Sequence, residues 1–270
     1  MDGRNDSIER IRRKLGELQD ADPKLWGFGA TDHQYRLVPA LDDAEVDRIC
    51  DHFGIVLPDD YRLFITTLGN GGVGPGYGLQ RFGYVARTAE IPDATPKGPD
   101  RLVYQKPGRR YFTKDLFDDT GRKVDRFDVA FFDSIKRLTG DGCTGPSAPS
   151  REFPLMEPFR AETNADEIEW ERIPGSDGVF LLVDYGCCIR AHLVLNGPYA
   201  GEVWIYDPTP GYYVPFCEMA MIHHVDDEDL HEDERERTFS FLEWYEHWLD
   251  HALIEIREEY RVAAARNDAD

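Results

Sequence analysis

The sequence predicts an α+β domain in which helices pack on a central, mostly antiparallel sheet. Two tandem amphipathic helices lie between residues 42 and 69, and three alternating apolar segments follow between residues 178 and 208. A long helical pattern with an apolar stripe closes the chain over residues 239–261. The tandem amphipathic helices need a surface to pack on, and the antiparallel strands that follow supply one, as is typical of the α+β class.

The two tandem helices have recognisable starts and ends. Asp42 and Glu45 have the D-x-x-E spacing of a capping box, and Gly54 is placed to end the first helix. Pro58 suits the first position of the second helix, and Gly69 is expected to end it in the left-handed conformation. Its buried stripe is predicted at i, i+3, i+4 and i+7, which corresponds to Tyr61, Phe64, Ile65 and Leu68.

Residues 178–208 are predicted to form a three-stranded antiparallel meander. Tyr185-Gly186 and Asn196-Gly197 supply residues suited to its turns. The middle strand alternates, and side chains on opposite faces differ in burial. The face expected to be covered carries Cys187, Ile189, Ala191, Leu193 and Leu195, and the face expected to be partly exposed carries Cys188, Arg190, His192, Val194 and Asn196.

Residues 85–174 are rich in proline, glycine and charge. We interpret them as a long insertion between the N-terminal helices and the C-terminal meander, within a single domain that spans residues 1–270. No internal repeat is visible, and the length suits one large domain or two small ones.

The net charge of −21 limits the possible partners. Such a surface repels phosphate backbones, so nucleic-acid binding is not expected. It would steer a basic protein toward the chain, although the same charge is equally compatible with a role in solubility alone. The charge is uneven: residues 97–137 carry a net +4, whereas residues 225–237 contain eight carboxylates and two arginines.

Five cysteines with no C-x-x-C pair favour a reducing compartment. The start of the chain has no apolar core of signal-peptide length, and the longest apolar run, residues 179–183, is too short to span a bilayer. A cytoplasmic protein without membrane contact is therefore expected.

Candidate catalytic patterns are weak. The glycines of residues 69–78 follow a helix instead of opening one and lack a following Lys-Ser/Thr, so a structural loop is preferred over a phosphate site. His247 and His251 share a helix face, but Asp250 replaces the glutamate of a zincin-like motif and ordinary packing is preferred. Cys188 and His192 lie four residues apart on one strand, too far for direct hydrogen bonding. We therefore expect no catalytic residue, no metal and no cofactor.

Three separated motifs resemble the SUKH superfamily, the Smi/Knr-like proteins. They are "LPDDYRLFITTLGNGG" from Leu57, "DYGCCIRAHLVLNGPYAGEVWIYDP" from Asp184, and "FLEWYEHWLD" from Phe241. Cys188 departs from the pattern, since glycine is common at its place, and residues 85–174 exceed a minimal family core. The residues that carry the resemblance are Leu57, Pro58, Tyr61, Phe64, Asn70, Gly71, Gly72, Gly186, Gly201, Trp204, Trp244 and Trp248.

The resemblance implies helices on a mixed or antiparallel sheet and a role without catalysis. Bacterial members are often immunity proteins that bind and neutralise polymorphic toxins, and fungal members regulate cell-wall assembly. We therefore expect a protein-binding domain whose partner is a toxin domain, with an intracellular regulatory or scaffold protein as the alternative. Candidate contacts are Tyr77, Tyr185 and Tyr199 near loop tips and the acidic residues Asp226, Asp227, Glu228 and Asp229.

Overall fold

The computed structural model describes part of the chain. The described residues are 3–82, 116–117, 123–124, 153–154, 159–160, 177–187, 189–207, 211–217 and 238–267. The helices are α1 (Gly3–Ala21), α2 (Ala30–His33), α3 (Asp43–Phe53), α4 (Asp59–Thr67) and α5 (Phe241–Asn267). The strands are β1 (Leu116–Phe117), β2 (Lys123–Val124), β3 (Phe159–Arg160), β4 (Val179–Gly186), β5 (Ile189–Val194), β6 (Val203–Asp207) and β7 (Tyr212–Pro215).

The main sheet has five strands in the order β3-β7-β6-β5-β4, and every neighbouring pair is antiparallel. β1 and β2 form a separate two-stranded hairpin. The predicted meander corresponds to β4, β5 and β6, so the α+β class and this part of the sheet are confirmed. β7 and β3 extend the sheet beyond the predicted strands.

The helical layer is organised by α1 and α5, which run parallel and side by side. Arg10 and Lys14 of α1 both bond to Glu246 of α5, at 2.7 and 2.9 Å. One turn further on, Lys14 also reaches Asp250. Burial alone would raise the pKa of Glu246, but its bonds to Arg10 and Lys14 hold the pKa below the ordinary value. These contacts fix the register of the first and last helices of the described chain.

The predicted helix boundaries agree with the structure in two places and differ in two. Pro58 was predicted at the first position of its helix, but it is the extended N-cap residue and α4 begins at Asp59. The Asp42 carboxylate accepts a hydrogen bond from the Glu45 N–H at 2.7 Å, and Gly54 ends α3 with φ 65°. The prediction for Gly69 is wrong: α4 ends at Thr67, its C-cap Leu68 is right-handed, and the first glycine with positive φ after the helix is Gly71. Gly69 is required for space, since a Cβ there would lie 2.4 Å from the Val38 carbonyl oxygen.

The main core lies between the helices and one face of the sheet. Tyr61 and Phe64 of α4 meet Phe241 and Tyr245 of α5 in edge-to-face ring pairs with centroids 4.8–5.1 Å apart. All four side chains are essentially inaccessible to solvent. Such aromatic pairs add to the hydrophobic effect of their buried area, so the predicted stripe of α4 is a principal anchor of the core.

The opposite face of the sheet is also covered, which contradicts the predicted exposure of His192 and Val194. Both are buried, at 4% and 0% exposure: Val194 lies in a second cluster with Trp204 and Tyr213, and His192 packs against the Tyr213 ring. Phe153 packs on this face against both rings, and its N–H donates to the Asn196 side chain at 2.9 Å. Alternation within one strand could not show this, because the cover comes from a distant part of the chain.

Cys187 differs from its predicted place on the covered face. It is exposed and lies in the β4–β5 turn with φ 50°, because β5 begins only at Ile189. The Asp184 carboxylate braces this turn by accepting a hydrogen bond from the Gly186 N–H at 2.8 Å. The side chain of Cys188 lies outside the described residues.

Candidate functional site

Asn70, which follows α4 in the motif "LGNGG", acts as a buried clamp. Its side-chain amide donates to the Phe82 carbonyl at 2.8 Å and accepts from the Phe82 N–H at 2.9 Å. Asn70 is fully buried, and its amide group pairs with one backbone residue as a neighbouring strand would. The clamp closes the chain from residue 70 to residue 82 into a compact loop.

The glycines after Asn70 allow close approach of backbones. Gly71 and Gly72 have φ 91° and 104°, where glycine is favoured. A Cβ on Gly72 would lie 2.4 Å from the Arg36 carbonyl oxygen. The loop therefore presses against residues 36–38, with hydrogen bonds from Val38 N–H to Gly71 and from Val73 N–H to Arg36, each 2.8 Å long.

Many N–H groups of this loop have backbone partners. Those of Gly72 and Leu79 donate to each other's carbonyls, at 3.1 and 2.8 Å. Those of Tyr77 and Gln80 donate to the carbonyls of Asp184 and Leu182 in β4. Because β4 is at the edge of the main sheet, the loop covers part of that edge. Its glycines thus serve the packing of the corner, in agreement with the preferred structural interpretation.

The remaining residues of the SUKH-like motifs have structural positions. Leu57 is buried, and Gly201 in the β5–β6 connection has φ 96°, where an added Cβ would lie 3.7 Å from the Pro58 side chain. Trp244 is buried in the main core and Trp204 in the second cluster, while Trp248 is partly buried. The motif residues thus distribute over both faces of the sheet instead of converging on one site.

The two histidines of α5 lie together, with ring centroids 4.3 Å apart. His247 also packs against Phe216 and Phe239. Asp250, the nearest acidic residue in the motif, is bonded to Lys14. Within the described ranges no three His, Cys, Asp or Glu side chains are grouped as a metal site would require.

His192 is held as a neutral residue in the second cluster. Its Nδ1 lies 2.8 Å from the Tyr213 hydroxyl, and the rings of Tyr206 and Tyr213 pack against it. Burial, assisted by the charge of Arg190, lowers the pKa of His192 to about 3. A histidine that stays neutral in this environment is suited to packing and hydrogen bonding between strands.

The most unusual polar group is Asp22, just after α1, which sequence analysis did not single out. Its fully buried carboxylate accepts from the Tyr35 hydroxyl at 2.6 Å and the Tyr260 hydroxyl at 3.0 Å. It also accepts from the N–H groups of Trp26 and Gly27, both at 2.9 Å. Burial alone would raise the pKa of Asp22, but these bonds hold it below the ordinary value. No local pattern could have identified it, because its partners are brought together by tertiary structure.

The loop held by Asp22 exposes aromatic side chains. Trp26 is 40% exposed and Phe28 is 67% exposed, two of the described large hydrophobic residues most accessible to solvent. Phe28 pairs with Tyr77 of the glycine loop at 5.3 Å between ring centroids, and Trp26 stacks on Tyr260 of α5 at 4.4 Å. We call the surface formed by Trp26, Phe28 and Tyr77 the aromatic patch.

Left-handed backbone surrounds the aromatic patch. Leu25, Gln34 and Tyr35 have φ between 51° and 56°, which is uncommon for residues other than glycine. Gly29 meets the glycine loop so closely that a Cβ would lie 1.7 Å from the Gly76 carbonyl oxygen. Such conformations persist only where the surrounding contacts determine them, and they are frequent at ligand-binding sites.

Of the predicted contact residues, only Tyr77 belongs to the aromatic patch. Tyr185 is half-buried beside the main core, and burial raises its pKa. Tyr199 is half-buried against Trp204, on the second cluster. The acidic residues Asp226, Asp227, Glu228 and Asp229 lie outside the described residues. Phe28 and Trp26 were not predicted, because nothing in the local sequence separates an exposed aromatic residue from a buried one.

Comparisons with known proteins give no relatives: no family model, no curated protein and no solved structure matches the chain. Among the helices that the structure describes, none combines the length and the apolar character needed to cross a membrane.

Proposed function

We propose that this chain is a non-enzymatic protein-binding domain of the SUKH type, and that it acts as an immunity protein by binding and neutralising a toxin domain. The observation that carries the proposal is the aromatic patch, in which the exposed rings of Trp26 and Phe28 and the half-buried ring of Tyr77 stand on a closely constrained backbone. Exposed aromatic anchors on rigid elements are typical of protein interfaces, because they supply contact area at a low cost in conformational entropy.

The order of the elements supports the SUKH-type assignment. A helix ends just before the Asn70-Gly71-Gly72 corner, an antiparallel meander follows, and a long helix, α5, packs against α1 and α4. Residues 85–174 are proposed as an elaboration of one domain that spans residues 1–270. Phe153 and β3, near the end of that segment, contact the main sheet, which supports a single domain.

The net charge of −21 supports a basic partner in a cytoplasmic setting. Long-range attraction would raise the association rate with a cationic toxin domain and would oppose binding to nucleic acid. The acidic residues 226–229 are proposed to contribute to this attraction, and no catalytic residue, metal or cofactor is assigned. Tyr185 and Tyr199 remain candidate contacts with less exposed area than Phe28.

The proposal predicts that a toxin domain is encoded beside the gene of this chain, and co-expression with that domain tests it. We expect growth to be restored and a stoichiometric complex to be recovered whose affinity decreases as salt increases. An unrelated immunity protein of similar charge serves as the control for non-specific attraction. Absence of both rescue and complex would refute the immunity role. A locus without a toxin gene, with recovery of kinases or cell-wall enzymes as partners, would instead support the regulatory alternative.

A further inference from the structure

A row of polar and aromatic side chains crosses the face of the main sheet that carries the second cluster. Backbone pairing places Asp184 of β4 on one side of Arg190 in β5 and Tyr206 of β6 on the other. Tyr213 of β7 lies beyond Tyr206. Directly paired residues project from the same face of a sheet, so these four side chains are neighbours. His192 lies two residues further along β5 and shares their face.

The row is buried on one side of Arg190 and partly open to solvent at Arg190 itself. Tyr213 and His192 are buried, whereas Arg190 and Tyr206 are half-buried. Within Arg190, the Nε atom is shielded from solvent. Burial, and after it the charge of Arg190, lowers the pKa of His192, which shows that the guanidinium group lies close to this buried histidine. A positive charge is therefore held beside the second cluster at a place that solvent still reaches.

Arg190 lacks a counter-ion in the described part of the chain. There it has neither a hydrogen bond nor an ion pair, and its buried Nε is without an acceptor. The Asp184 carboxylate, directly across on β4, instead accepts from the Gly186 N–H at 2.8 Å. Arg62, another half-buried arginine, bonds to two carboxylates of α3 at 2.8 Å each. Since acidic residues outnumber basic ones by 52 to 31, a shortage of carboxylates does not explain the difference.

The chemistry around Arg190 favours a singly charged carboxylate as its ligand. A guanidinium group offers parallel N–H donors that match the two oxygens of a carboxylate. Such a ligand supplies the acceptor that the buried Nε–H lacks, and leaving a buried donor unpaired is unfavourable. The neighbouring Asp184 disfavours a doubly charged oxyanion, because like charges repel at short range. On the other side, the half-buried Tyr206 ring can contact an apolar group attached to the carboxylate.

We propose that Arg190, with Tyr206 beside it, forms a binding site for a carboxylate ligand on this face of the main sheet. Arg190 is the anchor, and its N–H donors, including Nε–H, hold the two carboxylate oxygens. The site goes beyond the proposed function, since it takes an anion whereas the proposed toxin partner is cationic. It can therefore be tested with the purified chain alone.

Titration with acetate, followed by NMR at pH 6.5 and constant ionic strength, tests the site directly. The Nε–H group of an arginine gives its own proton–nitrogen signal, and the signal of Arg190 is assigned by its loss in Arg190→Lys. Acetate should move this signal along a saturable curve with a Kd of the order of 10 mM, as expected for one charge-assisted pair. Sulfate, the doubly charged probe, should bind more weakly.

Two variants that conserve charge separate the arginine fork from general electrostatic attraction. Arg190→Lys should weaken acetate binding about tenfold, because a lysine lacks the paired donors. Arg62→Lys is the matched control and should change the affinity less than about twofold, since Arg62 is already neutralised within the chain. The backbone amide signal of Tyr206 reports binding in both variants. If Arg190→Lys fails to fold, the titration of the wild-type Nε–H signal still decides the question.

The outcomes are distinct. A saturable shift of the Arg190 signal, with the expected loss in Arg190→Lys, supports the site. Absence of a saturable shift up to about 200 mM acetate overturns it, because an accessible charged pair would be filled at that concentration. An equal response of the Arg62 signal indicates adventitious ion association only and also overturns it. Tighter binding of sulfate than of acetate shows that the site does not select a carboxylate.

Discussion

Replacing Asn70 by aspartate should destabilise the fold in a pH-dependent manner. The substitution changes only the side-chain NH₂ group, which donates to the Phe82 carbonyl at 2.8 Å, into an oxygen. The other oxygen can still accept from the Phe82 N–H. An ionised carboxylate would place two acceptors against each other in a site with no solvent access. The folded variant should therefore retain a proton on this carboxyl group, which can then donate to Phe82 as the amide does.

The size of the effect follows from the cost of keeping that proton. An ordinary aspartate has a pKa near 3.9, and each unit of pH above it costs about 1.4 kcal/mol, so the penalty is about 4 kcal/mol at pH 7 and about 1.5 kcal/mol at pH 5. Because the pKa of this carboxyl group is raised in the folded state, the folded variant is most stable at low pH and loses stability as the pH rises. The difference between variant and wild type should thus narrow on acidification.

Urea unfolding followed by tryptophan fluorescence would measure both values, since Trp204 and Trp244 are fully buried in the folded chain. Asn5→Asp is the matched control, because Asn5 is an exposed residue of α1 and its change should remain within about 0.5 kcal/mol. A penalty for Asn70→Asp below about 1 kcal/mol at pH 7, or one equal at pH 5 and pH 7, would refute the clamp.

Two further substitutions test the contacts that hold the backbone next to the aromatic patch. Asp22→Ala should destabilise the fold by about 3 kcal/mol or more at pH 7, because it leaves buried N–H and hydroxyl donors without their charged acceptor. The pKa of Asp22 is lowered in the folded state, so the carboxylate stabilises the wild type fully above about pH 5 and progressively less below about pH 4. Urea unfolding measures the difference in free energy of unfolding between wild type and variant. An equal difference at pH 3 and pH 7 would contradict the prediction. Gly72→Ala should lower stability by about 3 kcal/mol because its Cβ would lie 2.4 Å from the Arg36 carbonyl oxygen. The control is Gly16→Ala in α1, which should stabilise the protein by about 1 kcal/mol, since nothing lies within 4 Å of the added Cβ. Thermal unfolding compares the two variants. Similar melting temperatures would show that the backbone around Gly72 relaxes to accept the methyl group.

Local sequence patterns predicted the elements that local physics controls. The Asp42 cap, the Gly54 end of α3 and the buried positions Tyr61 and Phe64 follow from hydrogen bonds or periodicity within a few residues. The meander followed from alternation between turn residues. The end of α4 was not predicted correctly, because Gly69 is selected by the distant Val38 carbonyl and not by its own φ angle.

The sequence by itself thus determined the α+β class, the two tandem helices, the meander β4-β5-β6, the closing helix α5 and the net charge of −21. Tertiary structure decided which side chains share a site. Three contacts show this, because each joins residues that are separated in the chain. Phe153 packs in one cluster with Trp204 and Tyr213, the Asn70 side chain bonds to Phe82, and the Asp22 carboxylate accepts from Tyr260. Exposure of Phe28 is likewise a property of the assembled surface. The physical reason is that caps and periodicity act over one or two turns, whereas burial and buried hydrogen bonds depend on segments that only the folded chain brings together.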